Sequence, residues 1–218
     1  MRILVVRPQP GADQTGISLQ QLGHAALVHP LLETRPVAWD LPSETPDAVI
    51  FTSAAAVRHA GWQAQALKRL PAYAVGGTTA LMAKMSGWTN VAIGPGTVQA
   101  LLDKLATGSQ RQLLHLAGAE VTPVTVPDTL SLTRITVYET PLLPLPVLPQ
   151  IDAVLLHSPR TAGHFAAEWD RLGGRRDAVA VYAISEPTLA AAGTGWASTA
   201  VAAKATGNAL LAMLPKAL

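Results

Sequence analysis

Hydrophobic positions along this chain fall into short unbroken runs separated by mixed stretches, and the two kinds alternate. Ile3 to Val6, Ala48 to Phe51 and Ala153 to Leu156 are continuous apolar runs of strand length, as expected for strands buried on both faces. The segments 54–69, 79–86, 98–105, 160–172, 188–193 and 207–214 read as helices or short helical turns. Several carry a stop signal where one is due: Gly87 follows Ser86, and Gly173-Gly174 follow Leu172. Alternating strands and helices predict the α/β class, with parallel sheets flanked by helices.

The alternation is written twice. Asp47-Ala48-Val49-Ile50-Phe51-Thr52-Ser53 matches Asp152-Ala153-Val154-Leu155-Leu156-His157-Ser158, and Tyr73-Ala74-Val75 with Thr79 matches Tyr182-Ala183-Ile184 with Thr188. Gly87-Trp88 matches Gly195-Trp196, and Thr97 with Ala100-Leu101-Leu102 matches Thr206 with Ala209-Leu210-Leu211. Order and spacing are kept throughout, which chance does not supply. Each copy reads strand, helix, strand, helix, strand, helix, so two copies predict two similar lobes.

Pro-rich stretches punctuate the pattern. Arg35 to Pro46 and Pro141 to Pro149 read as linkers, and the second can be neither ordinary helix nor central strand. They read as extended connectors, and two connectors imply that the chain crosses between lobes twice, leaving one lobe discontinuous. Between Glu120 and Leu132 a helix is due by symmetry, but Pro123, Pro127 and the Thr and Val residues around them predict an irregular segment.

Composition narrows the class. Of 218 residues, 49% are apolar and only 14% charged, with a mean hydropathy of +0.27; this supplies a large core and argues against disorder. A formal net charge of +2 is too small to indicate a nucleic-acid partner and suits an acidic small molecule. With no cysteine there are no disulfides, no Cys-type zinc sites and no thiol catalysis. The run after Met1-Arg2 is too short for a signal-peptide core, and no stretch approaches the ~20 apolar residues of a membrane span. The expectation is a cytoplasmic protein.

Ligands of open α/β sheets lie beyond the carboxyl ends of the strands, against helix N-termini. There the repeat places Thr52-Ser53 and Ser158-Pro159, then Gly76-Gly77-Thr78-Thr79 and Ser185-Glu186-Pro187-Thr188, with Thr97 and Thr206 opening the last helices. Free amides at helix starts bind carboxylates without needing an arginine. Ser and Thr are also the preferred capping residues, so the case rests on the set rather than on any single position. The six histidines show no metal-like spacing, and neither a dinucleotide or phosphate loop nor a Gly-x-Ser-x-Gly elbow occurs.

Several of these segments resemble the uroporphyrinogen-III synthase family. They are Val5-Val6-Arg7-Pro8, the run from Val49 to Val57, Ala74-Val75-Gly76-Gly77-Thr78-Thr79-Ala80, Val137-Tyr138-Glu139-Thr140, the run from Leu156 to Ala162, Ala183 to Thr188 and the Thr206 helix start. The likeness spans nearly the whole chain, and its specificity lies in number, order and spacing. The resemblance implies two α/β lobes joined by a two-stranded connector around a cleft. One lobe would hold residues 1–35 and 146–218 and the other residues 36–145. It implies conversion of hydroxymethylbilane, a linear tetrapyrrole polycarboxylate, to uroporphyrinogen III with loss of water, without a cofactor or metal. A monomer in passing contact with neighbouring pathway enzymes is implied as well.

The resemblance assigns roles residue by residue. Tyr138 resembles the family's cleft tyrosine; a phenol stays protonated at neutral pH and can donate to a departing hydroxyl. The alternative for Tyr138 is a connector aromatic packed between lobes. Thr52, Ser53 and Ser158 resemble hydroxyls that flank the substrate, with Thr79 and Thr188 behind them and Thr206 at the last helix start. Arg7 and Arg160 are the charged contacts expected for acetate or propionate arms, and Arg58 reads better as helix surface. Two departures stand out: His157 replaces the hydroxyl that Thr52 supplies in the first copy, and the 119–131 segment lacks a charged helix. The competing reading is a non-enzymatic two-lobed binding protein for a small acidic metabolite, since fold alone does not decide function. A nucleotide-dependent enzyme is disfavoured by the missing phosphate loop.

Overall fold

Apolar strands buried on both faces force the chain to cover each sheet twice, and the computed structural model, which describes residues 1–215, shows how. The order begins β1 (Arg2–Val5), α1 (Gly11–Gln21), β2 (Ala25–Val28) and the two-residue β3 (Arg35–Pro36). Then come β4 (Ala48–Phe51), α2 (Ala54–His59), β5 (Ala72–Ala74), α3 (Gly77–Met85), β6 (Val91–Ile93), α4 (Val98–Ala106), β7 (Gln112–Gly118) and β8 (Ser131–Glu139). They are followed by β9 (Ala153–Leu156), α5 (Pro159–Arg171), β10 (Ala180–Ala183), α6 (Glu186–Ala192), β11 (Ser198–Val201) and α7 (Gly207–Leu211). The chain is mixed α/β, with parallel sheets flanked by helices. No helix among the described residues is long and apolar enough to cross a membrane.

Two compact units result: Met1–Glu33 with the chain from Pro141 onward, and Thr34–Thr140. The first holds a five-stranded parallel sheet in the order β2-β1-β9-β10-β11. Its strands feed two cores by simple alternation. Leu4, Val154 and Leu156 enter one with Phe165 and Trp169; Ile3, Val5, Ala153 and Leu155 enter the other with Leu19 and Leu210. The second unit has the order β3-β8-β7-β4-β5-β6, parallel except where β3 runs antiparallel to β8. Val49 and Phe51 face one core there, Ala48 and Ile50 the other.

The repeated aspartates explain why the two sheets share a plan. Asp152 accepts the Arg2 amide at 2.6 Å, pinning the start of β1 beside β9. Asp47 accepts the amides of Arg111 and Gln112 at 2.7 and 2.9 Å, pinning the start of β7 beside β4. Thus β7 and β8, which follow the repeat in the second unit, stand where β1 and β2, which precede it, stand in the first. Both repeated tryptophans are buried against a phenylalanine, but from different elements: Trp88 meets Phe51 of β4 edge-on at 5.0 Å, and Trp196 stacks on Phe165 of α5 at 5.6 Å.

Three segments depart from or refine the sequence pattern. The helix expected over 54–69 stops at His59, because the chain turns at Gly61 with φ +72°, a region L side chains rarely adopt; a 3-10 turn over Gln63–Leu67 replaces the rest. The crossover from β7 to β8 has neither helix nor strand, as Pro123 and Pro127 predict, whereas α1 makes the same crossover in the first unit. The Pro-rich stretch after Pro141 is extended. Leu142 bridges Leu32, and the Leu143 amide donates to the Leu31 carbonyl at 2.8 Å.

That stretch is stitched to α5 by charge. Glu168 accepts the Leu145 amide at 2.7 Å, Arg171 donates to the Leu145 carbonyl at 2.9 Å and to Glu168 at 2.8 Å, and His164 donates to the Leu143 carbonyl at 2.7 Å. The Arg171 hydrogen bonds, helped by the Leu145 amide, hold the Glu168 carboxyl down at about 2. Glu168→Ala should lower stability by about 1–3 kcal/mol, the range for losing charge-assisted bonds to backbone. It should also open the 141–149 stretch to hydrogen exchange. An unchanged melting temperature together with unchanged exchange would refute the stitching.

Candidate active site

In the first unit the order in which successive strands are added reverses between β1 and β9, and the crevice at such a point is where open α/β sheets hold ligands. Arg7 follows β1 and His157-Ser158 follow β9. The Arg7 guanidinium is half-buried and lies over the bare Cα of Gly11, where an added methyl group would sit 2.7 Å from Cζ. No carboxylate pairs with Arg7 among the described residues, and burial alone lowers its pKa. The imidazole of His157 is pushed down to about 4, by burial first and then by the charge of Arg7. Its Nδ1 is buried with no hydrogen-bond partner.

Around this pair stand paired hydroxyls. Ser158 caps α5, accepting the Thr161 amide at 3.2 Å, with its Oγ 2.8 Å from the Thr161 hydroxyl. Ser185 and Thr188 repeat the hydroxyl pair at the start of α6, 2.9 Å apart, without the bond to a backbone amide. Thr188 is fully buried, so it stands behind the rim and presents Ser185. Thr206 is exposed and caps α7 by accepting the Ala209 amide at 3.3 Å, and Arg160 is exposed in the first turn of α5.

The second unit builds its rim the same way with different side chains. Thr52 follows β4 and its hydroxyl lies 3.0 Å from Nε2 of His115, on the neighbouring β7. His115 is buried, and burial, with the charge of Arg134, pushes its imidazole down to about 4. Ser53 caps α2, accepting the Ala55 amide at 3.0 Å; Thr79 is buried in the first turn of α3. Arg58 is exposed on α2.

Tyr138 lies near the carboxyl end of β8, half-buried. The β7–β8 ladder slips by one residue there: Ala117 pairs with Thr136, but Gly118 pairs with Tyr138, leaving Val137 as the extra residue. In a regular strand neighbouring side chains point to opposite faces. The bulge lets buried Val137 and Tyr138 pack against the same core cluster. Sequence reasoning puts Ser185 at the rim without a role of its own and passes over His115, Thr161 and Gly118. The i,i+3 spacing of Ser158 with Thr161, repeated in Ser185 with Thr188, is a signal that could have found Thr161. His115 and Gly118 have no local signal, because their partners come from other strands. Two hollows within single units, about 300 Å³ beside Gln112 and about 500 Å³ beside His24, lie at the amino ends of strands and hold none of these residues. No cluster of metal-ligating side chains occurs among the described residues.

The family model described as uroporphyrinogen-III synthase HemD matches residues 13–212. Among solved structures, the chain is similar to uroporphyrinogen-III synthetase from Helicobacter pylori, at 18% identity and a TM-score of 0.65, over 98% of both chains. It is also similar to a mutant uroporphyrinogen III synthase from Thermus thermophilus, at 17% identity and a TM-score of 0.56, over 97% of this chain and 96% of that one. At these identities the structural likeness speaks for the fold. No curated protein matches the chain.

The buried histidines make stability depend on pH in a stated direction. His115 has a pKa of about 4 in the folded chain against an ordinary 6.5, so the unfolded chain takes up its proton first on acidification. Its contribution is present above about pH 6.5 and is lost as the pH falls toward 4, on the order of 3 kcal/mol in all. His115→Gln should therefore flatten the fall in melting temperature between pH 7 and 4. A variant that keeps the parental slope would mean that His115 is not held neutral.

Proposed function

We propose that this chain, which belongs to the uroporphyrinogen-III synthase family, holds its substrate on the hydroxyl- and amide-lined rims at the carboxyl ends of its strands. The activity is that of the family, a cyclising lyase. Hydroxymethylbilane loses its terminal hydroxyl as water, and ring D attacks through its substituted carbon. The resulting spiro intermediate fragments and recloses as uroporphyrinogen III with ring D inverted. The observation that carries the reading is the match over residues 13–212, which favours catalysis over a non-enzymatic binding module.

The site chemistry supports this activity. Arg7 is a half-buried cation with no counter-ion among the described residues, so an anionic substrate arm would lower its energy. Ser158 and Ser53, with the amides of their helix starts, offer further donors to carboxylates. Thr79 and Thr188 lie buried behind the rim in the first turns of α3 and α6, while Thr52, Arg160 and Thr206 extend the polar edge. Tyr138 offers a phenolic O–H and is assigned to donate its proton to the departing hydroxyl or to position that group. The rims supply few general bases. Fixing a flexible polyanion in one folded pose provides the proximity effect, and the shape of that pose selects the inverting closure. In this reading, residues 1–35 with 146–218 and residues 36–145 act as two lobes, and the paired chain near Leu32 and Leu142 is part of a two-stranded connector between them. A cytoplasmic monomer in passing contact with neighbouring pathway enzymes completes it.

Purified protein incubated with hydroxymethylbilane should yield isomer III after oxidation. Isomer I alone, the product of spontaneous closure, would sink the enzymatic reading. Tyr138→Phe should slow turnover by roughly 10- to 100-fold, toward the lower end for loss of a proton donor, with an unaltered melting temperature. A full rate would make the phenol structural.

A further inference from the structure

The ring of Tyr138 is held by three neighbours, none with an assigned role. The bulge at Val137 sets Tyr138 opposite Gly118. A methyl group added at Gly118 would lie 2.6 Å from Cζ and 2.8 Å from the phenolic oxygen, so the reactive end of the side chain rests where only glycine leaves room. The imidazole of His59, from the last turn of α2, has its centroid 6.0 Å from that of the phenol at a tilt of 31°. His59 is itself fixed, with Nε2 3.1 Å from the hydroxyl of Thr34. All four residues belong to the same compact unit.

We infer that His59, anchored by Thr34, is the positioning residue for the Tyr138 phenol, with the bare Cα of Gly118 as the seat on which its oxygen rests. The inference rests on Tyr138 acting on the substrate as proposed above. Misplacing a reacting group by about 1 Å can cost up to about 100-fold in rate, so an aromatic neighbour that limits the tilt of the ring has a function to perform. The ring of His59 also suits the task electrically. Burial, and then the charge of Arg58, lower its pKa. With its pKa below the ordinary value of 6.5, the ring is largely uncharged at neutral pH and sets no positive charge beside the phenol.

The test uses the full chain labelled with ¹³Cζ-tyrosine, whose three tyrosines give few signals; Tyr138→Phe identifies the one that matters. His59→Ala should shift the Tyr138 resonance and lower kcat by about 5- to 20-fold, with KM changed less than about twofold, as expected for a misplaced reacting group. His59→Phe, which keeps an aromatic neighbour, should recover most of both. Gly118→Ala should displace the same resonance and lower kcat likewise; should it fail to fold, the His59 pair still decides. An unmoved resonance in His59→Ala, or full turnover there while Tyr138→Phe is slow, would overturn the inference. Full turnover in Tyr138→Phe would overturn it through its premise. That failure is recognisable, because His59→Ala would still move the resonance.

Discussion

A strand buried on both faces has no room along its length for polar chemistry. Every residue of β4 and β9 is fully buried, and each adjacent side chain serves a different core. Polar function is therefore displaced to the first residues beyond the strand, where backbone amides lose their ladder partners and helices begin. Arg7, Thr52, Ser53, His157, Ser158 and Ser185 all occupy such positions. The rim of hydroxyls follows from the burial of the strands, and two of its serines, Ser53 and Ser158, also cap helices that cover the sheets.

The same constraint accounts for the duplication. A strand-helix repeat of this kind needs one more parallel strand at its open side, and each unit finds it differently. The first takes β1 from before the repeat and the second takes β7 from after it, yet in both an aspartate at the repeat's start grips the incoming strand. The arrangement is kept in space and permuted along the chain. The permutation leaves a mark: the crossover after β1 carries a full helix, whereas the one after β7 is irregular. The prolines there withhold amides that a helix would need.

What was legible in the sequence is what depends on local pattern. Continuous apolar runs, glycines after helices and prolines in connectors announce the alternation of strands and helices. A pair such as Ser158 with Thr161 lies within one helical turn. The rest depends on distant pairing. Nothing near Thr52 announces that His115 will meet its hydroxyl, since the two are brought together by the β4–β7 register. Nothing near Tyr138 announces a bulge, since the slip exists only against β7. The early end of α2 hangs on the backbone angle of Gly61, which an apolar pattern running through Leu67 conceals.

The histidines bring these strands together. His115, within β7, and His157, just beyond β9, are both pushed well below their ordinary pKa, each by burial first and by a nearby arginine second. A neutral imidazole beside a cation is tolerated in a buried place where a second charge would not be. The edge near His157 thus holds Arg7 with no carboxylate partner among the described residues and with no protonated ring beside it. A rim built in this way attracts anions through fixed donors and guanidinium groups. Its histidines are poor proton acceptors near neutrality, being already biased against the charged form. For a reaction that begins with the loss of hydroxyl, that bias leaves proton donation as the need to be met. It makes the placement of the Tyr138 phenol, rather than the strength of any base, the feature on which the proposed chemistry turns.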